Sequence, residues 1–301
     1  MQHALKEDRR AGVADYLFAG LLYLLPHHLL SRIIFRITRI RRDVIKNAMI
    51  RSFVSVYKVD MSEAETADPT AYPTFNSFFT RSLKTGARII SGGAEDIAGP
   101  ADGRLSQAGT IRNGRIFQAK GRDYSLEELL GGNPEWCERF RDGQFATIYL
   151  SPRDYHRVHA PVAGRLVQMT YVPGRLFSVS PSTTRVVPRL FSRNERVVCF
   201  FDTAAGPMAV ILVGAIFVAS VDTVWAGNIT PSPHHALRHW HYGDQDVVLS
   251  RGQELGRFNM GSTVILLFAR DRTNWIDTLA PEAHLRMGQC IGHLQTSRVP
   301  G

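Results

Sequence analysis

After residue 97 the sequence breaks into short apolar runs set between Gly and Pro turns, and this texture constrains the fold more than any other feature. Arg115 to Gln118, Phe145 to Leu150, Arg165 to Val172, Arg196 to Phe201 and Val264 to Phe268 are too short for core helices. Their branched and aromatic residues suit a pleated surface. They predict a β-dominated core. Leu126 to Leu130 is the expected short helix within it, with Ser125 as N-cap and Glu127 and Glu128 in the first turn. Thr203 to Val221, nineteen uncharged residues, imitates a membrane span by hydropathy. Gly206-Pro207, Gly214 and the β-branched residues Val210, Ile211, Val213, Ile216, Val218 and Val221 instead predict two buried strands. Pro100-Ala-Asp-Gly-Arg-Leu-Ser-Gln107 and Pro161-Val-Ala-Gly-Arg-Leu-Val-Gln168 share P-x-x-G-R-L-x-Q. Either a repeated hairpin unit or turn chemistry alone produces such a pair.

The first part of the chain is different. From about residue 3 to 60 the pattern is helical, divided by Pro26, and Met61 to Pro73 is a polar connector. The expected architecture is α+β: a helical membrane-associating segment over 1–60, then a mainly antiparallel β core with a few helices over 61–301. Phe75, Phe78 and Phe79 recur at helical spacing and read as a packed structural face.

Tyr16 to Ser31 lacks Asp, Glu, Lys and Arg, but it is short and interrupted by Pro26, His27 and His28, whereas a spanning helix needs roughly 20 apolar residues. Arg32, Arg36, Arg39, Arg41, Arg42, Lys46 and Arg51 follow, interleaved with Ile33, Ile34, Phe35, Ile37, Ile40, Val44 and Ile45. That mixture predicts a basic, partly amphipathic helix able to lie in a bilayer interface, each basic residue near an anionic leaflet adding about 1 kcal/mol. A helix packed on the protein's own core is the alternative. The formal charge of +9, from 36 Lys and Arg against 27 Asp and Glu, favours anionic partners. No RRM, zinc-finger or helix-turn-helix pattern supports nucleic acid. Cys137, Cys199 and Cys290 are widely spaced, which argues against a disulfide framework and fits a reducing compartment. Ala4 to Arg10 carries both signs of charge, unlike a secretory signal.

Reactive groups gather in Gly99-Pro-Ala-Asp-Gly103, Ser151-Pro-Arg-Asp-Tyr-His-Arg-Val-His159 and Met260-Gly-Ser-Thr263. An Asp, two His and a Ser are the inventory of nucleophilic catalysis, because serine needs a base and the base needs an orienting carboxylate. There is no G-x-S-x-G elbow. The same residues are consistent with a plain turn at Asp102-Gly103 and with hydrogen-bonded histidines at a strand end.

Gly261-Ser262-Thr263, Tyr155-His-Arg-Val-His-Ala-Pro161, the Pro100-Ala-Asp-Gly103 turn, Val224-Trp-Ala-Gly227 and Gly252-Gln-Glu-Leu-Gly-Arg-Phe258 together resemble bacterial phosphatidylserine decarboxylase proenzymes in order and spacing. The likeness runs from roughly Phe75 to Gly292. Met260 stands where that family usually has Leu, a volume-conserving change.

The resemblance implies that Ser262 attacks the Gly261 carbonyl, cutting the chain into 1–261 and 262–301. Ser262 then becomes a covalent pyruvoyl group that forms a Schiff base with phosphatidylserine and releases phosphatidylethanolamine and carbon dioxide. Pyridoxal phosphate and metal are not required. It further implies His159 as base for Ser262, Asp102 as its orienting carboxylate, and His156 as proton donor in decarboxylation. Thr263 is expected to position the leaving ester. Gly261 is expected in a strained turn that tolerates no side chain. The partners implied are phosphatidylserine in the bilayer, an anionic membrane surface, the two fragments of one chain and a second cleaved pair. The implied location is peripheral, on the cytoplasmic side of the cell membrane. Leu176 and Phe177 in Pro173-Gly-Arg-Leu-Phe-Ser178 suit either a loop dipping into the acyl region or a buried turn. His234, His235, His239 and His241 cluster without completing a metal set, so a solvated basic loop is preferred. Two rival classes remain open: a lipid-binding scaffold without the chemistry, and a hydrolase acylated at Ser262 by an external ester.

Overall fold

The structure is a computed structural model that describes residues 12–216, 220–231 and 236–295. Three helices come first, Val13–Leu24, His27–Ile37 and Asp43–Tyr57. Pro26 excludes the helical conformation for the residue before it, and Leu25 is extended at φ −75 and ψ 139, so the first two helices meet at 83°. His27 seals the bend: Nε2–H donates to the Leu22 carbonyl at 2.6 Å, and Nδ1 accepts from the Leu176 N–H at 3.3 Å. The basic stretch is two helices rather than the one expected. Thr38 Oγ1 donates back to the Ile34 carbonyl at 2.8 Å and ends the second helix, and the Arg39 guanidinium folds over the Phe35 ring at 3.6 Å. Among the described residues no single helix is long and apolar enough to cross a membrane.

These helices are only partly buried. Ala19 and Leu22 join the main core, while Val13, Leu17, Leu21, Leu24, Leu29 and Ile33 remain exposed beside exposed Arg32, Arg36, Arg41 and Arg42. Leu176 and Phe177 correct one reading. They are 2% and 0% exposed, packed under the bend where Tyr23 and His27 meet the Phe177 ring at 4.7 and 5.2 Å, so the buried turn holds and the exposed loop does not.

The β core is built on a nine-stranded antiparallel sheet. Its path runs Arg238–His241, Gly164–Val172, Arg196–Thr203, Gly206–Val213, Thr263–Phe268, Gln144–Tyr149, Gly103–Thr110 and His284–Leu285, with Val248–Leu249 also on Gly164–Val172. Thr263–Phe268 lies at the centre with every residue buried, as an unbroken apolar run requires. The expected strands form, and Leu126–Leu130 is a helix whose Ser125 side chain accepts from the Glu128 N–H at 3.0 Å. Gly206–Val213 and Val221–Thr223 are the two strands read from the uncharged stretch; Val218 lies outside the described residues.

Among the described residues three smaller sheets complete the core, and two of them disclose an internal duplication. Asp96–Ala98 pairs with Cys290–Leu294 as Arg157–His159 pairs with Glu254–Phe258, each ladder slipping register once. Gly103–Thr110 pairs with Gln144–Tyr149, slipping between Leu105 and Gln107. Gly164–Val172 pairs with Arg196–Thr203, slipping between Leu166 and Gln168. The P-x-x-G-R-L-x-Q echo is therefore structural. Hydrogen bonds cross between the copies reciprocally: Ala98 N–H to the Pro161 carbonyl at 2.9 Å, His159 N–H to the Pro100 carbonyl at 2.8 Å.

A second echo confirms the relation. Gly252-Gln-Glu-Leu-Gly256 and Gly288-Gln-Cys-Ile-Gly292 start at left-handed glycines, φ 81 and 86, whose N–H groups bond to the Ala160 carbonyl at 2.8 Å and the Gly99 carbonyl at 2.9 Å. One copy, spanning Arg157 to Phe258, is thus inserted into the other between Tyr149 and Thr263. The inserted copy joins its third and fourth strands, Arg196–Thr203 and Gly206–Val213, by a tight turn. The outer copy has the whole insertion at that place.

Candidate active site

Gly261-Ser262 is where the chain returns from the inserted copy to the central strand. The Leu150 N–H donates to the Ser262 carbonyl at 2.8 Å, and Thr263 pairs with Tyr149 on one side and Val213 on the other. Ser262 is fully buried, and its Oγ has no hydrogen-bond partner; the same holds for Thr263 Oγ1. A buried hydroxyl left unpaired costs about 1–3 kcal/mol, so such atoms call for a functional reason.

Gly261 is not in the left-handed region, which corrects the expectation of a strained turn. Tight packing against one carbonyl is what favours glycine. A Cβ there would lie 3.3 Å from the Leu150 carbonyl oxygen and 3.7 Å from His156 Cε1.

His156 is therefore the imidazole next to Gly261. It is completely buried, neither ring nitrogen has a hydrogen-bond partner, and the ring stacks on Phe79 at 4.1 Å. The Ser151 and Pro152 backbone lies close enough to favour the charged ring slightly without meeting hydrogen-bond geometry. Burial, aided by the positive charge of Arg81, prevails and takes the pKa down to about 3, so the ring is neutral. The Phe75–Phe79 helix supplies Phe79, and its cluster with Ile50, Tyr72 and Phe78 also receives Met260. The phenylalanine face read as structural is so, and it also walls the site.

His159 ends the Arg157–His159 strand. Its Nδ1 faces the Gly252 carbonyl at 2.8 Å and must carry the proton, because a carbonyl only accepts; Nε2 then accepts from the Tyr155 hydroxyl at 3.0 Å. Desolvation keeps this ring neutral too, opposed by the Gly252 carbonyl and by the charges of Glu254 and Asp102. Burial pushes the Tyr155 phenol up to about 12, so it remains a donor. Asp102 is held by the Arg88 guanidinium, Nε to Oδ1 at 2.8 Å, and by the Met287 N–H at 2.8 Å. Its charge reaches His159, but among the described residues no hydrogen bond joins Asp102 to His159 or His159 to Ser262.

Two residues escaped the sequence reading. Tyr155 stood in the quoted motif without a role, and its place on His159 depends on a strand turn that no spacing reveals. Arg81, at the end of the phenylalanine segment, is 5% exposed and lies close to His156 and Asp102. Of the histidine cluster, His239 faces Thr170 Oγ1 at 2.9 Å on the far edge of the sheet, and His234 and His235 lie outside the described residues.

Comparison with known proteins bears on this arrangement. A family model described as phosphatidylserine decarboxylase matches residues 75–293, and one described as PSD matches residues 17–58. A phosphatidylserine decarboxylase proenzyme of Bordetella avium is 55% identical over 280 residues, covering 93% of this chain and 95% of that protein. Proteins of the same name from Methylococcus capsulatus and Alkalilimnicola ehrlichii are 53% and 56% identical, covering 92% and 87% of this chain and 96% and 91% of their own lengths.

Proposed function

The chain belongs to the phosphatidylserine decarboxylase family of carboxy-lyases, and on that premise we propose that it cuts its own Gly261–Ser262 bond and then decarboxylates phosphatidylserine to phosphatidylethanolamine. The observation that carries this reading is a buried serine hydroxyl, committed to no hydrogen bond, directly after a glycine set tightly against the Leu150 carbonyl. Ser262 Oγ attacks the Gly261 carbonyl carbon, the C–N bond breaks, and the acyl group passes from nitrogen to oxygen. Loss of a Cα proton expels residues 1–261 as a carboxylate, and water releases ammonia from the dehydroalanine left behind. His159 takes the hydroxyl proton once the Tyr155 hydroxyl gives up Nε2, and the Asp102 charge stabilises the imidazolium.

The residues present fit a pyruvoyl group made from Ser262. Its position is buried and free of competing hydrogen bonds, and its own carbonyl stays tied to Leu150. A pyruvoyl group supplies a ketone for the substrate amine and an adjacent amide that draws electrons from the bond being broken. His156, neutral and with both nitrogens uncommitted, then delivers a proton to the carbon that loses carbon dioxide. Thr263 Oγ1, also unpaired, lies at the next position for holding the leaving ester. Thr263–Phe268 is hydrogen-bonded on both sides, which supports continued association of the two fragments after the cut.

Docking to the cytoplasmic face of the cell membrane is part of this proposal. Its support is the exposed apolar residues of the first two helices beside exposed arginines.

A second reading concerns the base. His156, not His159, adjoins Gly261, so His156 is the rival for the serine proton in the cut. The test is intact mass. The protein should separate into a 262–301 fragment without a free amine and its larger partner, while Ser262→Ala stays one chain with decarboxylation at background. Turnover by an uncut polypeptide refutes the proposal.

A further inference from the structure

We propose that Arg81 is the phosphodiester receptor of the mature site, gripping the headgroup phosphate while the carboxylate to be lost is kept away from it. This inference deepens the proposed function and rests on it. Arg81 follows the Phe75–Phe79 helix, so it is placed by the same element that stacks Phe79 on His156. Only 5% of it is exposed, and among the described residues Nε has no partner and its one hydrogen bond, from Nη2 to the Arg153 carbonyl, is long at 3.4 Å. A guanidinium carries five N–H donors, and buried ones are normally spent.

Its neighbours are spent. Arg88 is engaged by Asp102 and Glu63, and Arg157 by Glu254, Ser82 and the Thr80 carbonyl. Arg81, among the described residues, forms no ion pair. It opens on a cavity of about 320 Å³ walled also by Arg88, Asp102, Arg153, Asp154 and Tyr155. Neither His156 nor His159 lines this cavity itself, but its wall residue Tyr155 bonds to His159 and the charge of its wall residue Arg81 reaches His156. A volume of that order admits a small polar headgroup.

The choice between the two anions of the substrate follows from the reaction. A cation on the carboxylate would stabilise a charge that disappears as carbon dioxide leaves, which slows the step. The phosphodiester charge is unchanged throughout, so holding it strengthens binding in ground and transition states alike. Arg81 therefore belongs to binding, and its loss should appear in KM more than in kcat.

The experiment compares wild type, Arg81→Gln and Arg81→Lys after maturation, with rates normalised to the 262–301 fragment so that a defect in self-cutting does not register as one in binding. The assay uses phosphatidylserine in mixed micelles, with glycerophosphoethanolamine as inhibitor, a phosphodiester and amine without a carboxylate. Arg81→Gln should raise KM about ten-fold or more with kcat within about three-fold, and weaken inhibition by a similar factor. Arg81→Lys, which keeps the charge but not the fork, should fall between, and it decides the matter if the glutamine variant does not fold. Inhibition equal in wild type and variants, no inhibition of wild type at millimolar concentration, or a fall confined to kcat overturns the assignment. Wild type that matures yet leaves phosphatidylserine intact refutes the underlying function instead.

Discussion

The two copies of the strand unit differ most at one equivalent position. In the inserted copy Asp202 pairs with Pro207 and Thr203 with Gly206, and the chain turns back within a few residues. In the outer copy Tyr149 pairs with Thr263 in the same way, but the turn is opened and a whole second unit is hung between Leu150 and Ser262. Gly206 thus stands where Ser262 stands. It has φ 97 and is partly exposed, and its nearest side-chain neighbour is Arg272, whereas Ser262 is fully buried and follows a glycine that His156 adjoins. A shared backbone frame does not make a site. Opening the turn lets the segment that leads into the second copy bring His156 against Gly261, and there His156, Ser262 and Thr263 all keep unpaired polar atoms.

The comparison can be broken most severely at the histidines. His159→Ala is expected to abolish the cut, leaving one band on a denaturing gel and no decarboxylation. His156→Ala is expected to cut normally and then decarboxylate about 100- to 10,000-fold more slowly. An uncut His156→Ala protein would transfer the role of base to that residue.

Acid should expose the same asymmetry. Burial pushes the folded-state pKa of His156 down to about 3 from the ordinary imidazole value of 6.5, so the unfolded chain takes up the proton first. Stability is thus fully present above about pH 6.5 and is lost as pH falls towards 3, by about 1.4 kcal/mol per pH unit for this one group. His159, shifted in the same direction, adds to the fall. Urea unfolding at pH 7, 6 and 5 measures the slope, and His156→Phe should flatten it. An unchanged slope would mean that His156 is not buried as a neutral ring.

Smaller effects sharpen the comparison at the turn itself. Gly261→Ala should slow the cut about ten-fold, because the new methyl meets a Leu150 carbonyl fixed by the sheet; pulse-chase of the freshly made chain gives the rate. Gly206→Ser puts a hydroxyl at the twin position. It should yield no new fragment and lower stability by about 1–2 kcal/mol, since serine is disfavoured at φ 97.

Much of this was legible in the chain. Short apolar runs located the strands because a buried strand needs an unbroken apolar stretch, and Ser125 located a helix start because its hydroxyl bonds the backbone three residues on. The Gly-Ser-Thr triplet and the His-rich motif pointed to the chemistry only through their resemblance to a known family, since their residue types alone also suit a plain turn and hydrogen-bonded histidines. The P-x-x-G-R-L-x-Q echo showed half of the duplication. The G-Q-x-[LI]-G echo, equally present in the text, gained meaning only when both glycines proved left-handed.

Tertiary structure decided the rest, because it concerns groups distant along the chain. Which acceptor holds His159, which cation neutralises Asp102, whether Leu176 and Phe177 are covered, and that Arg81 keeps unspent donors all depend on which copy packs against which. Sequence determined the elements and the reactive inventory through local sterics and hydrophobic period. The nesting of one copy in the other determined who meets whom, since hydrogen bonds and burial act through space over a few ångströms whatever the separation in sequence.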